Sequence, residues 1–322
     1  MLWERMTTFS IIIPVKPGGT VTALNALKVL EYPVELFEIL VAEGTCPSRQ
    51  RNLAARKARG DLLYFLDDDS RPIPDALWRC ADAFSASDVA VVGGPSLTPA
   101  GDSRLQRLFG AVLSSLFGAG AMRNRYRATG LLRRTTEKEL ILCNLAFRRD
   151  LFLGADGFDE RLYPNEENEL LDRIAASGHA LLHDPAMAVE RSQRPTLAAF
   201  MRQMFGYGRG RAQQTLLAGP GSVVSFAPLL FVCYLLLLPL LPASPLWSLP
   251  LLAYAILVVG FTVVAAMASG VAESLLLLGL FPVMHCCNGA GLLWGFAGGR
   301  PEQPKGGQVT VRQVKGFEQE VW

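Results

Sequence analysis

The chain has 322 residues, 50% of them hydrophobic and 19% charged, with a formal net charge of +2. These proportions exclude a disordered chain, a disulfide-knit secreted module and a protein that holds nucleic acid through bulk charge. They also argue against a uniformly soluble domain, because residues 223–299 contain one formally charged side chain, Glu273.

Composition therefore divides the chain into residues 1–222, of ordinary globular make-up, an apolar block at 223–299, and a polar tail at 300–322. About 220 residues suffice for one large core. The stretch Met1–Ser10 includes Glu4 and Arg5 and has no apolar run before Ile11, so it lacks a secretory layout and predicts a cytosolic first part.

Phe9–Val15 (FSIIIPV) is a β-branched run ended by Pro14, Pro17, Gly18 and Gly19, the pattern of a buried parallel strand. Thr20 can cap a helix with apolar positions at Val21, Leu24, Leu27 and Leu30, and Phe37–Val41 follows as a second strand. The basic stretch Arg51–Arg59 predicts a helix that feeds a third strand, Leu62–Leu66. Strand, helix, strand in this order indicates an α/β sheet.

The third strand ends in Asp67-Asp68-Asp69-Ser70, and ligands of such sheets bind at the carboxyl ends of strands. In extended backbone Asp67 and Asp69 share a face and Asp68 takes the other. Two carboxylates about 4 Å apart repel by about 4 kcal/mol at an effective dielectric of 20, so the pair favours a bound cation or a raised pKa. Mg²⁺ or Mn²⁺ bridging to a nucleotide diphosphate suits such a pair. A solvated acidic turn would carry the same triplet; the strand before it favours a site.

In Asn165–Ile174 (NEENELLDRI), Leu170, Leu171 and Ile174 follow Glu167 at helical spacing, so Glu167 heads an apolar stripe. Partial burial there would raise its pKa toward that of a useful general base. Glu169 and Arg173 form an i,i+4 pair, and acids in a first turn suit the helix dipole.

Gly93-Gly94-Pro95 follows an apolar run and reads either as backbone approaching a sugar or as an ordinary tight turn. Leu105, Leu108, Phe109, Val112 and Leu116 recur at three- and four-residue steps, so a helix near 104–118 is amphipathic; periodicity alone fits an interfacial or a core-packed helix, and the apolar block that follows favours the interfacial one. Arg123, Arg125 and Arg127 follow it and could meet the phosphates of a lipid-linked acceptor. His179 and His183 have no zinc-pair spacing and read as packing or loop residues. The cysteines at 46, 80, 143, 233, 286 and 287 form no Cys-x-x-Cys pair and read as reduced filler.

Within the apolar block, Val223–Leu241 and Leu246–Ala268 each approach the ~20 residues a membrane helix needs. Leu275–Ala297 is long enough too, but carries His285, Asn288 and several glycines, so it either spans or re-enters. Arg202, Arg209 and Arg211 precede the first span and place that side in the cytosol. Three spans would export a tail whose Arg300, Lys305, Arg312 and Lys315 suit the cytosolic face better.

FSIIIPV, RNLAARKARGDLLYFLDDDS, Gly93-Gly94-Pro95, LSSLFGAGAMRNRYR, NLAFRRDLFLGADGFDE and NEENELLDRI before QMFGYGRGRA together resemble inverting family 2 glycosyltransferases with a GT-A fold. The chain is most similar to membrane-anchored bacterial exopolysaccharide enzymes of the succinoglycan type. The resemblance implies a GT-A domain over 1–222, three transmembrane helices over 223–299, and an inner-membrane location with a cytosolic catalytic domain. The implied partners are a nucleotide-sugar donor, a lipid-linked saccharide acceptor, the bilayer and a possible complex of pathway enzymes.

By the same resemblance Asp67, Glu43, Arg51 and Gly94 would bind the donor, and Asp69 would hold Mg²⁺ or Mn²⁺. Glu167 would be the catalytic base, and Asn144, Glu166 and Arg209 would serve the acceptor or diphosphate. The sequence departs from the family pattern in several places. Ala42-Glu43 stands for the usual acidic pair after the second strand, and a helix and strand before Arg51-Asn52 are omitted. Glu167 stands where the family commonly has Asp, and Arg191 where it often has His. A polyprenyl-phosphate glycosyltransferase and a non-catalytic transferase-like membrane scaffold are the alternative readings.

Overall fold

A computed structural model describes residues 6–242, 244–269, 274–304 and 307–319. The chain forms two compact units. The first comprises residues up to Leu97, Asn124–Arg191 and the tail from Glu302; the second comprises Thr98–Arg123 and Ser192–Pro301.

In chain order the first unit contains β1 (Phe9–Val15), α1 (Ala23–Leu27), β2 (Phe37–Glu43), α2 (Pro47–Lys57), β3 (Leu62–Leu66), β4 (Arg71–Pro72), α3 (Ala76–Ala83), β5 (Val89–Gly93) and β6 (Ser96–Leu97). The second unit interposes α4 (Arg104–Ser114) and α5 (Leu116–Ala119). The first resumes with β7 (Arg133–Arg134), β8 (Asn144–Arg148), α6 (Arg149–Gly154), α7 (Glu166–Ala176), β9 (Ala180–His183) and β10 (Val189–Glu190). The second then supplies α8 (Leu197–Ala218), α9 (Ala227–Leu237), α10 (Leu249–Ser269) and α11 (Leu277–Ala297), before β11 (Thr310–Lys315) returns to the first.

The main sheet has the order β11-β2-β1-β3-β8-β5-β9-β7. Its parallel centre sets Phe9 of β1 beside Phe37 of β2 and Leu62 of β3. All residues of β1 and β3 are buried, as their continuous apolar runs require of strands covered on both faces. On one face Ile12, Leu40, Phe65, Phe147, Phe152 and Phe158 pack into one core, with Phe65 within ring contact of the other three aromatics. Ile11, Ile13, Val41 and Tyr64 belong to the core of the other face.

The three expected strands form where the sequence puts them, with β2 running on to Glu43. The first helix starts later than Thr20. Gly18 adopts φ +69°, and the chain is then tied to the loop after β3 by Ala23 N and Thr22 Oγ1 donating to Asp68 O. The basic helix starts earlier, at Pro47, because proline suits a first helical position.

Helix α2 pins its surroundings. Gln50 Nε2 donates to Val15 O and Ala42 O at the carboxyl ends of β1 and β2. Ser48 Oγ donates to Leu162 O, while Asn52 exchanges two hydrogen bonds with the backbone of Phe158 at 2.8 and 2.9 Å. These contacts fix residues 158–162 ahead of α7.

The tail closes the sheet: β11 runs antiparallel to β2, with Thr310 opposite Glu43. Its last residue, Lys315, is fully buried and donates to the carbonyls of Val34 and Phe37. Three two-residue strands, in the order β4-β10-β6, make a second small sheet.

In the second unit, the expected amphipathic helix is interrupted at Ser115, whose hydroxyl accepts from Gly118 N and caps α5. Leu108, Phe109 and Val112 are buried, and Phe109 stacks on Phe200 of α8 at 4.2 Å, so this face is core-packed instead of interfacial. Phe200, Met204, Gly208 and Ala212 form the buried stripe of α8. At Gly208 a Cβ would lie 2.0 Å from Asn288 O of α11, and at Gly291 of α11 one would lie 2.0 Å from Phe205 O of α8. These two helices thus pack backbone to backbone. Three segments, Val223–Leu240, Pro245–Met267 and Leu277–Ala297, are long and apolar enough to cross a membrane.

Asn52→Ala removes both bonds to the buried Phe158 backbone. It is expected to destabilise the fold by roughly 2–3 kcal/mol, seen as a lower thermal unfolding midpoint of the purified chain.

Candidate active site

Five residues of the sheet's carboxyl edge, of α2 and of α7 come together through guanidinium groups. Strand β3 ends at Leu66, and the next residue, Asp67, is held on both oxygens. Arg51 Nη2 of α2 lies 2.8 Å from its Oδ1, and Arg191 Nη2 lies 3.1 Å from its Oδ2. Arg191 also donates from Nε to Asp69 Oδ1 at 2.6 Å. Asp67 and Asp69 therefore share one guanidinium, although residues 67–70 form a turn closed by Ser70 N donating to Asp67 O and not the extended backbone expected from the sequence.

Arg51 reaches the second acidic motif with its other arm, Nη1 lying 3.2 Å from Glu166 Oε1. Glu166 is 2% exposed and its Oε2 has no hydrogen-bond partner among the described residues. Burial, reinforced by the neighbouring Glu167, pushes its carboxyl up to about 8 against the opposing pull of Arg51. Sequence spacing singled out Glu167 for partial burial; the structure leaves Glu167 partly exposed and buries Glu166.

Glu167 faces another cation. Arg125 Nη1 lies 3.6 Å from its Oε1, and the same guanidinium donates to Asn168 Oδ1, Glu137 O and Lys138 O. Arg125 is 7% exposed and so fully engaged inside the first unit, which removes it from the expected role of meeting lipid phosphates. The expected Glu169–Arg173 pair forms at 2.6 Å.

Other expected residues have different tasks. Glu43, at the carboxyl end of β2, accepts from Gly18 N at 3.1 Å and so stands on the same edge of the parallel strands as Asp67. Asn144 is completely buried: Tyr64 Oη donates to its Oδ1, and its Nδ2 donates to Met187 O. With its amide used up inside the core, Asn144 is a brace and not an acceptor contact. A Cβ on Gly94 would lie 1.8 Å from Met187 O, so the need for glycine comes from the 184–187 turn packing against it. Arg209 belongs to α8 of the second unit. His183 is buried on β9 with Nε2 3.2 Å from Asn124 O, a packing role, and burial lowers its pKa.

Sequence reasoning named Arg51, Arg125 and Arg191 but did not pair any of them with the acidic residues they meet. Arg191 follows β10, which pairs with both β4 and β6, and its backbone N donates to Leu97 O; that framework delivers it to the aspartates from 122 positions away. Its displacement of the family's usual histidine was the one available signal. The basic cluster at 123–127 marked Arg125, but nothing local tied it to Glu167.

The same geometry tests the expected metal. Both oxygens of Asp67 are taken, Asp69 is already paired with Arg191, and no group of three His, Cys, Asp or Glu side chains among the described residues could hold an ion. Asp69 is 45% exposed and is the one carboxylate of the pair open to Mg²⁺ or Mn²⁺, in competition with Arg191. The fit is to a site with a single protein carboxylate, a number that Mg²⁺ tolerates when phosphates complete its shell.

Residues 10–153 match the family described as Glycosyl transferase family 2. The chain is 25% identical over 206 residues to the succinoglycan biosynthesis protein ExoA of Rhizobium meliloti (strain 1021), a match over 55% of this chain and 61% of that protein's length. Among solved structures it is similar to the mannosyltransferase PcManGT from Pyrobaculum calidifontis in complex with GDP-Man and Mn²⁺. That likeness has a TM-score of 0.52 and 17% identity, and covers 91% of this chain and 88% of the other. Likeness to S. aureus TarS 1-349 in complex with UDP-GlcNAc has a TM-score of 0.47 at 13% identity, covering 94% and 98%. The fold is the mixed α/β GT-A sheet, carrying three apolar helices that could span a membrane.

A carboxyl with a raised pKa contributes stability that is present below its unfolded value and lost as pH rises through its folded value. For Glu166 the window runs from the ordinary 4.5 to about 8. Wild type should lose unfolding midpoint relative to Glu166→Gln across that range and run parallel to it above, when melts are recorded from pH 5 to 9.

Proposed function

From the premise that this chain carries a glycosyl transferase family 2 domain over residues 10–153, we propose that it moves a sugar from a nucleotide-sugar donor to a hydroxyl of a lipid-linked saccharide in bacterial polysaccharide assembly. The observation that carries this reading is the meeting of the two acidic motifs over one guanidinium, Asp67 and Glu166 each held by Arg51.

The donor lies along the carboxyl edge of β1, β2 and β3, with Glu43 toward the nucleoside and Arg191 and Asp69 toward the diphosphate. Glu167, about one-eighth exposed and oriented by Arg125, takes the proton of the acceptor hydroxyl as that oxygen attacks the anomeric carbon in line. One displacement inverts the configuration. Burial and the neighbouring Glu167 push the Glu166 carboxyl up, which favours its neutral form beside the base. Asp69 is the carboxylate that would hold Mg²⁺ or Mn²⁺ where Arg191 releases it, and the ion would then supply positive charge for the departing diphosphate.

The acceptor class is supported by the apolar block and by the relative's part in succinoglycan biosynthesis. We read the catalytic unit as facing the cytosol, at the side of Arg202, Arg209 and Arg211. The pairing of β11 with β2 supports an even number of crossings between Arg191 and Thr310, because an odd number would put the two strands on opposite faces of the bilayer. Two spans therefore replace the three that hydropathy suggests, and α11 is the segment that stays at the interface. Its His285 bonds Tyr254 Oη and Phe117 O, its Asn288 bonds Met204 O, and it lies against α8, which bears three arginines.

Glu167→Gln is expected to lower the turnover number by roughly 10²–10⁴-fold with nucleotide binding intact, measured with a radiolabelled donor panel and extracted bacterial lipids. Near-wild-type turnover would instead favour a phosphate acceptor, which needs little base help. No transfer or hydrolysis by the wild type with any donor would favour the scaffold reading.

In oriented vesicles of a cysteine-free variant, single cysteines at Ser222 and Gln319 are expected to react with an impermeant maleimide from the same side, and one at Ser244 from the other. Labelling of positions 222 and 319 from opposite sides would restore three crossings.

A further inference from the structure

We propose that Arg191 is the resident cation of the diphosphate subsite, so that the protein retains a nucleotide without a divalent metal. This rests on the transferase reading above and specifies how its donor is held.

Three observations support it. First, Arg191 sits where a cation shared by the aspartate pair would sit, contacting Asp69 at 2.6 Å and Asp67 at 3.1 Å. An ion bound to both carboxylates would have to displace it, and Arg51 as well from Asp67. Second, the side chain is held from behind. β10 is paired on both edges and Arg191 N donates to Leu97 O, so the guanidinium is presented by a fixed strand end. Third, the fork is only partly used. Nε donates to Asp69 and Nη2 lies 3.1 Å from Asp67, so the contacts to the aspartates run through one edge of the guanidinium. The side chain is about one-fifth exposed.

A guanidinium has five donors in a plane and stays charged at any working pH. With one edge closed on the carboxylates, the remaining edge can meet two phosphate oxygens side by side, the strongest geometry available to arginine. The aspartates then orient the guanidinium instead of ligating a metal, and Asp69 gains a metal only when Arg191 lets go.

The test is calorimetric binding of UDP and of GDP to the full-length chain in lipid nanodiscs, in EDTA and in Mn²⁺, together with electron paramagnetic resonance of Mn²⁺ uptake. Wild type should bind at least one nucleotide with an affinity that EDTA changes less than about threefold, and should take up little Mn²⁺ in the absence of nucleotide. Arg191→Ala should weaken metal-free binding roughly 10- to 100-fold. Arg191→His should bind nucleotide in Mn²⁺ but not in EDTA and should show ion uptake, which also establishes that position 191 can be changed without loss of the fold. Loss of wild-type binding in EDTA, or unaltered metal-free binding by Arg191→Ala, would overturn the proposal while leaving the transferase reading in place. Absence of binding of both nucleotides in both buffers would remove that reading, and this proposal with it.

Discussion

Asp67 has a guanidinium on each oxygen, Arg51 from α2 and Arg191 from the end of β10, and the architecture of the first unit follows from keeping both there. Four carboxylates, those of Asp67, Asp69, Glu166 and Glu167, are drawn toward one edge of the sheet. Where they are ionised, these groups repel one another unless cations lie between them. Arg51, Arg125 and Arg191 offset that repulsion, and each must be delivered by a rigid element. This explains why α2 spends its polar side chains on the backbone. Ser48, Gln50 and Asn52 fasten the helix to strand ends on one side and to residues 158–162 on the other, so Arg51 meets Asp67 and Glu166 without searching for either.

What could be read in the sequence was what local chemistry encodes. β1 and β3 are continuous apolar runs ended by abrupt polar turns, and such runs have few folds open to them. The aspartates after β3 do share a cation, but through a turn closed by Ser70 N and Asp67 O, which strand alternation does not supply. The cations could not be read this way. Arg191 and Arg125 join the site through pairings of β10 and through the carbonyls of residues 137 and 138, contacts that no spacing reports. Asn144 shows the opposite failure: a polar residue inside a motif suggested a ligand contact, whereas Tyr64 and Met187 use both ends of its amide. At α7, spacing identified the apolar stripe correctly but could not rank Glu166 against Glu167, because Arg51, from another helix, decides which is buried.

The second unit shows the limit of periodicity and hydropathy. The stripe on α4 was plain in the sequence, yet a stripe does not say what covers it, and the stack of Phe109 on Phe200 gives it a protein partner. In α11 the polar and small residues were visible, and their meaning depends on α8. Gly291 lets the two backbones touch and Asn288 bonds Met204 O, so a segment apolar enough for lipid has much of its surface against protein. By contrast α9 and α10 leave large side chains such as Leu230, Leu236, Ile256 and Val264 exposed, which is what hydrocarbon would cover.

The tail ties these two halves of the chain together in a way that composition could not suggest. A polar C-terminal segment after apolar helices has the character of a solvated end, yet here it supplies the edge strand of the main sheet. β2 would otherwise expose a row of unpaired backbone groups, and β11 satisfies them from Ile39 to Glu43, while buried Lys315 neutralises the carbonyls of Val34 and Phe37. The strand that carries Glu43 is therefore completed only after every apolar helix has been synthesised. A chain stopped within the membrane block would have all the acidic residues of the site and an unfinished sheet beneath one of them. Synthesis of the apolar helices thus precedes completion of this edge of the sheet, which is closed by hydrogen bonds between a strand before them and a strand after them.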